Sequence, residues 1–178
     1  GQVLVLDDLI DEVLDEARRI VAAKHPELAS AAQVAEQVGI GAIVFNDLKR
    51  ERIKDVVFDK QEILSFEGET GPYLQYTHAR FASILRKAPG GLPAPDHAKL
   101  ADAAEILLLL GRFPAVVQGA AEHAEPSEIS QFLLELARSA NHWYVEHRVL
   151  GEEATLSAAR LALVRGVKIV IGNGLRLL

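Results

Sequence analysis

Aromatic and polar side chains stand beside a cation at helical spacing in the stretch GPYLQYTHAR, residues 71–80. Tyr73, Tyr76 and Arg80 follow the order i, i+3, i+7, so they line one face of a helix. Gln75 lies beside this line. The face therefore combines rings, a positive charge and an amide.

The same spacing recurs in ANHWYVEHRVL, residues 140–150, where Asn141, Tyr144 and Arg148 stand at i, i+3, i+7. Trp143, the only tryptophan of the chain, lies alongside. An unpaired nucleic-acid base needs such a surface: a ring to stack on, a cation for its phosphate and a hydrogen-bonding group for its edge. The alternative is that these rings belong to the core and place only their polar tips at the rim. The residues alone leave both interpretations open.

Other residue patterns argue against a self-sufficient enzyme. Residues 39–44, GIGAIV, supply two of the three glycines of a dinucleotide fingerprint, and GETG at 68–71 lacks the Lys-Ser/Thr of a phosphate loop. The six histidines include no His-Glu-x-x-His arrangement, and the chain has no cysteine. We therefore predict no catalytic residue and no metal site in this chain.

The two polar stretches are expected to lie on helices, which the spacing of apolar residues predicts along the chain. Apolar spacing predicts one helix over about residues 7–25 and a second over about 30–45, while strand-like residues occur only in VLVL at 3–6 and KDVVFD at 54–59. From Thr70, a candidate N-cap, the pattern is helical throughout. The predicted later helices are 71–87, 96–110, 112–123, 127–148 and 156–175. The predicted fold is mainly α: a helical bundle preceded by a small mixed α/β segment.

The net charge of −6 at pH 7 is unevenly spread. Residues 154–178 contain no acid, and a basic run, KRERIK, occupies residues 49–54. The bases of the acid-free segment are Arg160, Arg165, Lys168 and Arg176. An acidic chain with local basic strips suits one specific polyanionic partner better than indiscriminate nucleic-acid binding. Solvated helix faces would carry the same charges, so charge alone does not decide.

Composition also bears on the location and completeness of the chain. No run approaches the roughly 18–20 apolar residues of a membrane span, and the absence of cysteine favours a cytosolic protein. The chain has no Met, not even at position 1, and opens on a VLVLDDL segment typical of the middle of a domain. We therefore expect a fragment or a processed product of a longer protein.

Stretches spread over the whole chain resemble one known family. GETGPYLQYTHARFASILRKA is close to the pattern G-x-T-G-P-Y-x-Q-Y-x-x-x-R in the junction segment of arginyl-tRNA synthetases. VGIGAIVFNDLKRERIKDVVFDKQEILSFEG resembles the end of that family's catalytic module, and GQVLVLDDLIDEV resembles the segment after its lysine-containing loop. LLELARSANHWYVEHRVL and AARLALVRGVKIVIGNGLRLL are similar to its helical anticodon-binding domain.

The resemblance implies a division of labour within the chain. Residues 1–69 would be the C-terminal end of the class I catalytic module, and residues 70–178 would be the helical anticodon-binding domain. The family joins arginine to its tRNA through an arginyl-adenylate made from ATP, but its His-Ile-Gly-His-like motif and lysine loop do not occur in this chain. The chain would therefore bind arginine tRNA without catalysing a reaction, and it would hold no cofactor itself. ATP with Mg would serve the full-length enzyme.

The resemblance also implies partners and tRNA-facing residues. The expected partners are arginine tRNA and the missing catalytic domain of the same chain, with a cytoplasmic monomer and no membrane contact. Family members often carry Phe where this chain has Trp143. The implied tRNA-binding residues are Tyr73, Gln75, Tyr76 and Arg80 from the first motif, Asn141, Trp143, Tyr144 and Arg148 from the second, and Arg165 and Lys168 as phosphate contacts.

Two other classes of function compete with tRNA binding. A helical protein–protein interaction module would bury the aromatic faces against a protein, and its affinity would hardly respond to salt. A free-standing enzyme would show turnover by the isolated chain, which we do not expect. Within the synthetases, the anticodon domain of another class I enzyme is disfavoured by the G-P-Y-x-Q-Y stretch.

Overall fold

The computed structural model describes residues 6–24, 26–51, 53–54 and 58–178. These residues form seven α-helices and one 3-10 helix and contain no strand. The α-helices are α1 (Leu6–Lys24), α2 (Ala31–Leu48), α3 (Lys60–Ile63), α4 (Gly71–Arg86), α5 (Ala104–His123), α6 (Ser127–Glu146) and α7 (Ala154–Leu177), and the 3-10 helix His97–Ala103 precedes α5. The predicted mainly α fold is confirmed. Of the two strand-like segments, residues 3–5 and 55–57 lie outside the described residues.

The chain divides into two compact units, Gly1–Gln75 and Tyr76–Leu178, and the division falls within α4. In the first unit, α1 packs against α2, and α3 closes the core beside them. The buried positions recur every three or four residues, as expected for two amphipathic helices. They are Val13, Ala17 and Val21 in α1, Ala35, Val38 and Ala42 in α2, and Ile63 and Leu64 at the end of α3.

The start of α4 is fixed by side-chain and backbone contacts within the first unit. The Thr70 hydroxyl accepts a hydrogen bond from the backbone N–H of Tyr73 at 3.1 Å and donates one to the carbonyl oxygen of Ser65 at 2.6 Å. Thr70 is therefore the N-cap that the sequence predicts. Gly71 lies so close to α2 that an added Cβ would stand 2.7 Å from the carbonyl oxygen of Gly41.

In the second unit, α6 packs against both α5 and α7. Buried residues recur along α6 from Ser127 to Trp143, because its apolar side chains lie between α5 and α7 while its four charged residues lie outside this core. The fully buried side chains of this core include Phe81, Ile106, Leu133, Leu136, Val164, Val167 and Ile171. The polar stretches lie on α4 from Tyr76 onward, on α6 and on α7.

Two predicted helix boundaries are wrong. A break was expected between residues 110 and 112, but α5 runs unbroken from Ala104 to His123 with Pro114 inside it. Proline costs a helix about 3 kcal/mol, and the burial of Ile106, Leu109 and Ala120 on either side outweighs that cost. The helix predicted over 127–148 ends earlier, at Glu146, because the next residue leaves the helical conformation.

Candidate nucleic-acid interface

Arg80 lies between two tyrosine rings in the second unit. Its guanidinium carbon stands 4.7 Å from the ring centroid of Tyr76 and 5.9 Å from that of Tyr144. These distances are typical of cation–π contacts. Tyr76 remains 47% exposed, while Tyr144 is half-buried and meets Phe81 edge-on at 6.0 Å. The arginine therefore supports one exposed ring and one partly exposed ring.

A hydrogen-bonded chain fixes the position of Arg80. Its Nη1 donates to Oδ1 of Asn141 at 2.8 Å, and Nδ2 of Asn141 donates to the hydroxyl of the fully buried Thr77 at 2.9 Å. Because the Arg80 guanidinium can only donate, the amide oxygen of Asn141 must face it, which leaves the amide nitrogen to donate to the Thr77 hydroxyl. The structure thus joins the two polar stretches of the sequence through Arg80 and Asn141, a contact that the sequence analysis did not predict.

A groove of about 700 Å³ opens beside this pair. Its walls come from the end of α4, the end of α6 and the loop that follows α6. It is lined by Arg80, Ser83, Ile84, Lys87, Tyr144, Val145, Glu146, His147, Arg148, Val149 and Leu150. Arg80, Lys87 and Arg148 bring positive charge, and Glu146 is the one acid in this lining. The groove therefore offers a cationic wall and an aromatic ring within a volume that can admit a base.

Sequence reasoning missed Lys87. It follows Arg80 by seven residues, so it continues the same helix face that Tyr73, Tyr76 and Arg80 begin. Extending the spacing by one more step would have found it.

Arg148 reaches the groove from a loop rather than from a helix. The backbone of His147 is extended, with φ −124° and ψ 117°, and its N–H closes the helix on the carbonyl oxygen of Trp143. The carbonyl oxygen of Arg148 then accepts a hydrogen bond from Nη1 of Arg160 at 2.7 Å. The loop is therefore held by α7, and Arg148 keeps its side chain exposed at the groove.

Trp143 lies in the interior and not in the groove. It is 5% exposed, and its ring stacks on that of His147 with centroids 5.1 Å apart. The Arg160 guanidinium lies 5.8 Å from the indole centroid and pairs with Asp102 at 3.1 Å. The indole therefore packs between α6, α7 and the 3-10 helix, with little of its surface exposed.

A second cavity, of about 410 Å³, lies next to Trp143. Its acidic lining consists of Asp102, Glu105, Glu135 and Glu146. Carboxylates repel phosphate, so this cavity is unsuited to a nucleic-acid backbone. The sign of the charge thus separates the two depressions of the second unit.

Tyr73 and Gln75 belong to the first unit and are half-buried. Nε2 of Gln75 donates to the carbonyl oxygen of Gln37 at 3.0 Å, so this amide ties the first turns of α4 to α2. In the basic run at 49–54, the first lysine is held within the fold, whereas Lys54 is exposed and pairs with Glu51. Lys49 is buried, and its Nζ donates to the carbonyl oxygen of Glu69 at 2.9 Å. Burial lowers the pKa of Lys49.

Arg165 and Lys168 lie on α7, where Arg165 is exposed and Lys168 is half-buried. Burial lowers the pKa of His78 on α4, and the positive charges of Lys168 and Arg176 lower it further. These three basic groups are therefore close enough to act on one another. The described residues contain no group of three or more His, Cys, Asp or Glu that could hold a metal ion. No helix in the described ranges is long and apolar enough to cross a membrane.

Comparison with known protein families gives matches over both parts of the chain. Residues 74–178 match the DALR anticodon binding domain, and residues 1–60 match the catalytic domain of class I tRNA synthetases (R). The arginine–tRNA ligase of Lactiplantibacillus plantarum is 45% identical over 100% of this chain, which covers 32% of that protein. The arginine–tRNA ligase of Exiguobacterium sibiricum is 42% identical with the same coverage.

Solved structures agree with these matches. The chain is similar to arginyl-tRNA synthetase of Thermus thermophilus with a TM-score of 0.93 and 38% identity, covering 98% of this chain and 31% of that one. Arginyl-tRNA synthetase of Plasmodium falciparum shares the fold with a TM-score of 0.84 at 21% identity, covering 98% and 32% respectively. The chain therefore spans about a third of the length of the relatives it matches. Since the domain match covers more than half of the chain, and the predicted resemblance to arginyl-tRNA synthetases is confirmed, the chain belongs to the DALR anticodon-binding domain family.

Proposed function

We propose that this chain is the tRNA-binding part of an arginine–tRNA ligase and that the groove beside Arg80 receives unpaired nucleotides of arginine tRNA. The observation that carries the proposal is the Arg80 guanidinium held between Tyr76 and Tyr144 at the edge of a cationic groove. The family match supports RNA as the ligand, because anticodon-binding domains act on tRNA.

Each wall of the groove has a distinct task in this proposal. A base stacks on the exposed ring of Tyr76 or enters against Tyr144, and each stacked base contributes roughly 1–3 kcal/mol. Lys87 and Arg148 neutralise neighbouring phosphates. Asn141 holds Arg80 in place.

The remaining predicted residues take other parts. Arg165 and Lys168 contact phosphates along α7, whereas Trp143 acts indirectly by holding the loop that carries Arg148. Tyr73 and Gln75 set the direction of α4.

The domain organisation is part of the same proposal. We assign residues 1–69 to the end of a class I catalytic module and residues 70–178 to the anticodon-binding domain. The gap between the two family matches, residues 61–73, supports a boundary there.

By analogy with the longer relatives, the complete enzyme would use ATP with Mg to join arginine to its tRNA in the cytoplasm. The catalytic module would be the second partner of this chain. The chain alone would be a monomer without turnover.

The proposal is tested by titrating the chain with arginine tRNA and with the same tRNA altered at the central anticodon base, at two salt concentrations. We expect tighter binding of the unaltered tRNA and a loss of affinity at higher salt, because each phosphate contact contributes a slope of about −0.7 in single-stranded regions. Equal binding of both tRNAs would contradict anticodon contact. Absence of binding, or binding insensitive to salt, would favour the protein-interaction alternative.

Adjacent residues at the end of α4 offer a matched pair of variants. Lys87 lines the groove, and its exposed neighbour Arg86 does not. Each change, Lys87→Gln or Arg86→Gln, removes one positive charge from the same end of the helix. We expect Lys87→Gln to reduce the salt slope by about 0.7, with a smaller change for Arg86→Gln. Equal effects would mean that net charge rather than the groove governs binding.

A further inference from the structure

Two helices, α4 and α7, are free of acidic residues. Neither α4 nor α7 contains an Asp or Glu, although the chain as a whole has 25 acids against 19 lysines and arginines. The acid nearest to α7 along the chain is Glu153, which caps its first turn. Phosphate groups meet no carboxylate on either helix, so electrostatic repulsion is low along both.

The basic residues of α7 form a strip with one gap. Arg165, Lys168, Gly172 and Arg176 follow one another at spacings of three or four residues, so they lie on one face of the helix. The strip is about 16 Å long, given a rise of 1.5 Å per residue. Its cations are exposed or half-buried. Gly172 interrupts them at the position where a further side chain would stand.

His78 of α4 fills this gap. A Cβ added at Gly172 would lie 3.2 Å from Nε2 and 3.4 Å from Cδ2 of His78, so the imidazole packs directly against the backbone of α7. Its neighbours along the strip are Lys168, one turn before Gly172, and Arg176, one turn after it. Both lower the pKa of His78 through their charge, in agreement with this placement.

We propose that His78, Lys168 and Arg176, together with Arg165, form a second phosphate-binding strip that follows the RNA backbone outside the groove. Gly172 is part of the site because it admits the imidazole between the two cations. The inference rests on the proposed function, since the ligand is the backbone of the same tRNA. It adds His78, Gly172 and Arg176 to the residues that would contact RNA.

The arrangement suits a polyanion better than a protein surface. Arg165, Lys168 and Arg176 stand in a row on a helix that contains no acid to form an ion pair with them. A row of cations matches the regular charges of a phosphodiester backbone. Nη1 of Arg176 donates a hydrogen bond to Oδ1 of Asn173 at 3.4 Å, and this neutral amide leaves the positive charge of Arg176 unneutralised. An acidic protein segment is the competing ligand, and the test below separates the two.

The experiment compares Arg176→Gln with Arg112→Gln in the tRNA titration at two salt concentrations. Both arginines are exposed in the second unit, but Arg112 lies on α5 and pairs with Glu135 of α6 at 3.6 Å, so it is not part of the strip. We expect Arg176→Gln to lower the salt slope by about 0.7, which corresponds to about four-fold weaker binding near 0.15 M salt. Arg112→Gln should leave both quantities near those of the unaltered chain.

His78 gives an independent readout through pH. A phosphate favours the charged imidazole, so binding should take up a proton and become tighter as the pH falls toward the pKa of His78, which burial and the charges of Lys168 and Arg176 hold below its ordinary value. His78→Gln should remove that part of the pH dependence and leave the affinity at pH 8 nearly unchanged, since the free imidazole is neutral there. An unchanged pH dependence in His78→Gln would show that His78 does not touch phosphate.

The outcomes distinguish the strip from the groove. If Lys87→Gln weakens binding while Arg176→Gln equals Arg112→Gln, the strip is refuted and the groove stands. If the unaltered chain binds no tRNA, both are refuted. If the strip variants weaken binding of an acidic protein but not of tRNA, the strip serves a protein partner and the inference is wrong.

Discussion

Two glycines in helices of the second unit should respond oppositely to the same substitution. Gly174 of α7 is buried against α6, and a Cβ there would lie 2.6 and 2.8 Å from the two methyl groups of Leu133. Gly111 of α5 is exposed, and a Cβ there would meet nothing within 4 Å. Replacing either by alanine makes the same chemical change in a helix interior, so any difference between the variants reports on the contact with Leu133.

The expected magnitudes follow from two effects. Alanine is favoured over glycine in a helix by about 0.8–1 kcal/mol, so Gly111→Ala should be stabilising by roughly that amount. At Gly174 the same gain is opposed by overpacking, which costs typically 1–3 kcal/mol in a filled core. Leu133 is fully buried and cannot swing into solvent. Gly174→Ala should therefore unfold more readily than Gly111→Ala by about 1–3 kcal/mol.

Trp143 makes this comparison measurable. It is the only tryptophan and lies buried in the second unit, so its fluorescence follows the unfolding of that unit alone. With a urea dependence of about 2 kcal/mol per M, the two midpoints should differ by about 0.5–1.5 M. Equal midpoints, or a higher midpoint for Gly174→Ala, would refute the claim that α7 closes on α6 at Leu133.

Three further predictions concern the cap of α7, the support of the groove and the start of α4. Hydrogen bonds from Lys99 and Thr155 lower the pKa of Glu153 to about 2. The stabilising effect of the Glu153 carboxylate should therefore be complete above pH 4.5 and be lost as the pH falls toward 2. The difference in unfolding free energy between wild type and Glu153→Gln should close over that range. Asn141→Leu removes the acceptor that Arg80 uses, and we expect about 1–3 kcal/mol lower stability together with weaker tRNA binding in the titration above. Thr70→Ala should cost about 1 kcal/mol and Thr70→Ser much less, as read by circular dichroism during urea unfolding, because only serine keeps the capping hydroxyl.

Most of the fold was predictable because it is encoded locally. Helix periodicity and the Thr70 cap depend on residues within a few positions of one another, and the structure confirms them. The contact of Arg80 with Asn141 was not predicted, because matched spacing on two helices does not say which faces pack together. The end of α6 at Glu146 was not predicted either, because no glycine or proline marks it. The hydrogen bond between the Arg148 carbonyl and Arg160, twelve residues away, holds that loop instead.

The place of Trp143 shows a second limit of sequence reasoning. Its neighbours in the chain made it look like part of the same aromatic face as Tyr144, but adjacent helical residues point about 100° apart. Which of the two becomes buried depends on what packs behind the helix. Here His147 and Arg160 provide a partner for the indole, whereas Arg80 provides one for Tyr144.

The distribution of charge links the fold to the proposed function. Arg160 has a structural role, because its guanidinium donates hydrogen bonds to Asp102 and to the carbonyl oxygen of Arg148. The acidic cavity beside Trp143 repels phosphate, and the groove on the other side of α6 attracts it. Under the proposed function, a chain with a net charge of −6 would meet RNA at the groove and along acid-free α4 and α7, and its acidic remainder would disfavour other orientations. Salt should weaken both the attraction of RNA phosphates to the cationic surfaces and their repulsion by the acidic ones. Raising the ionic strength is therefore expected to lower the affinity for RNA and also the preference for one orientation of the complex.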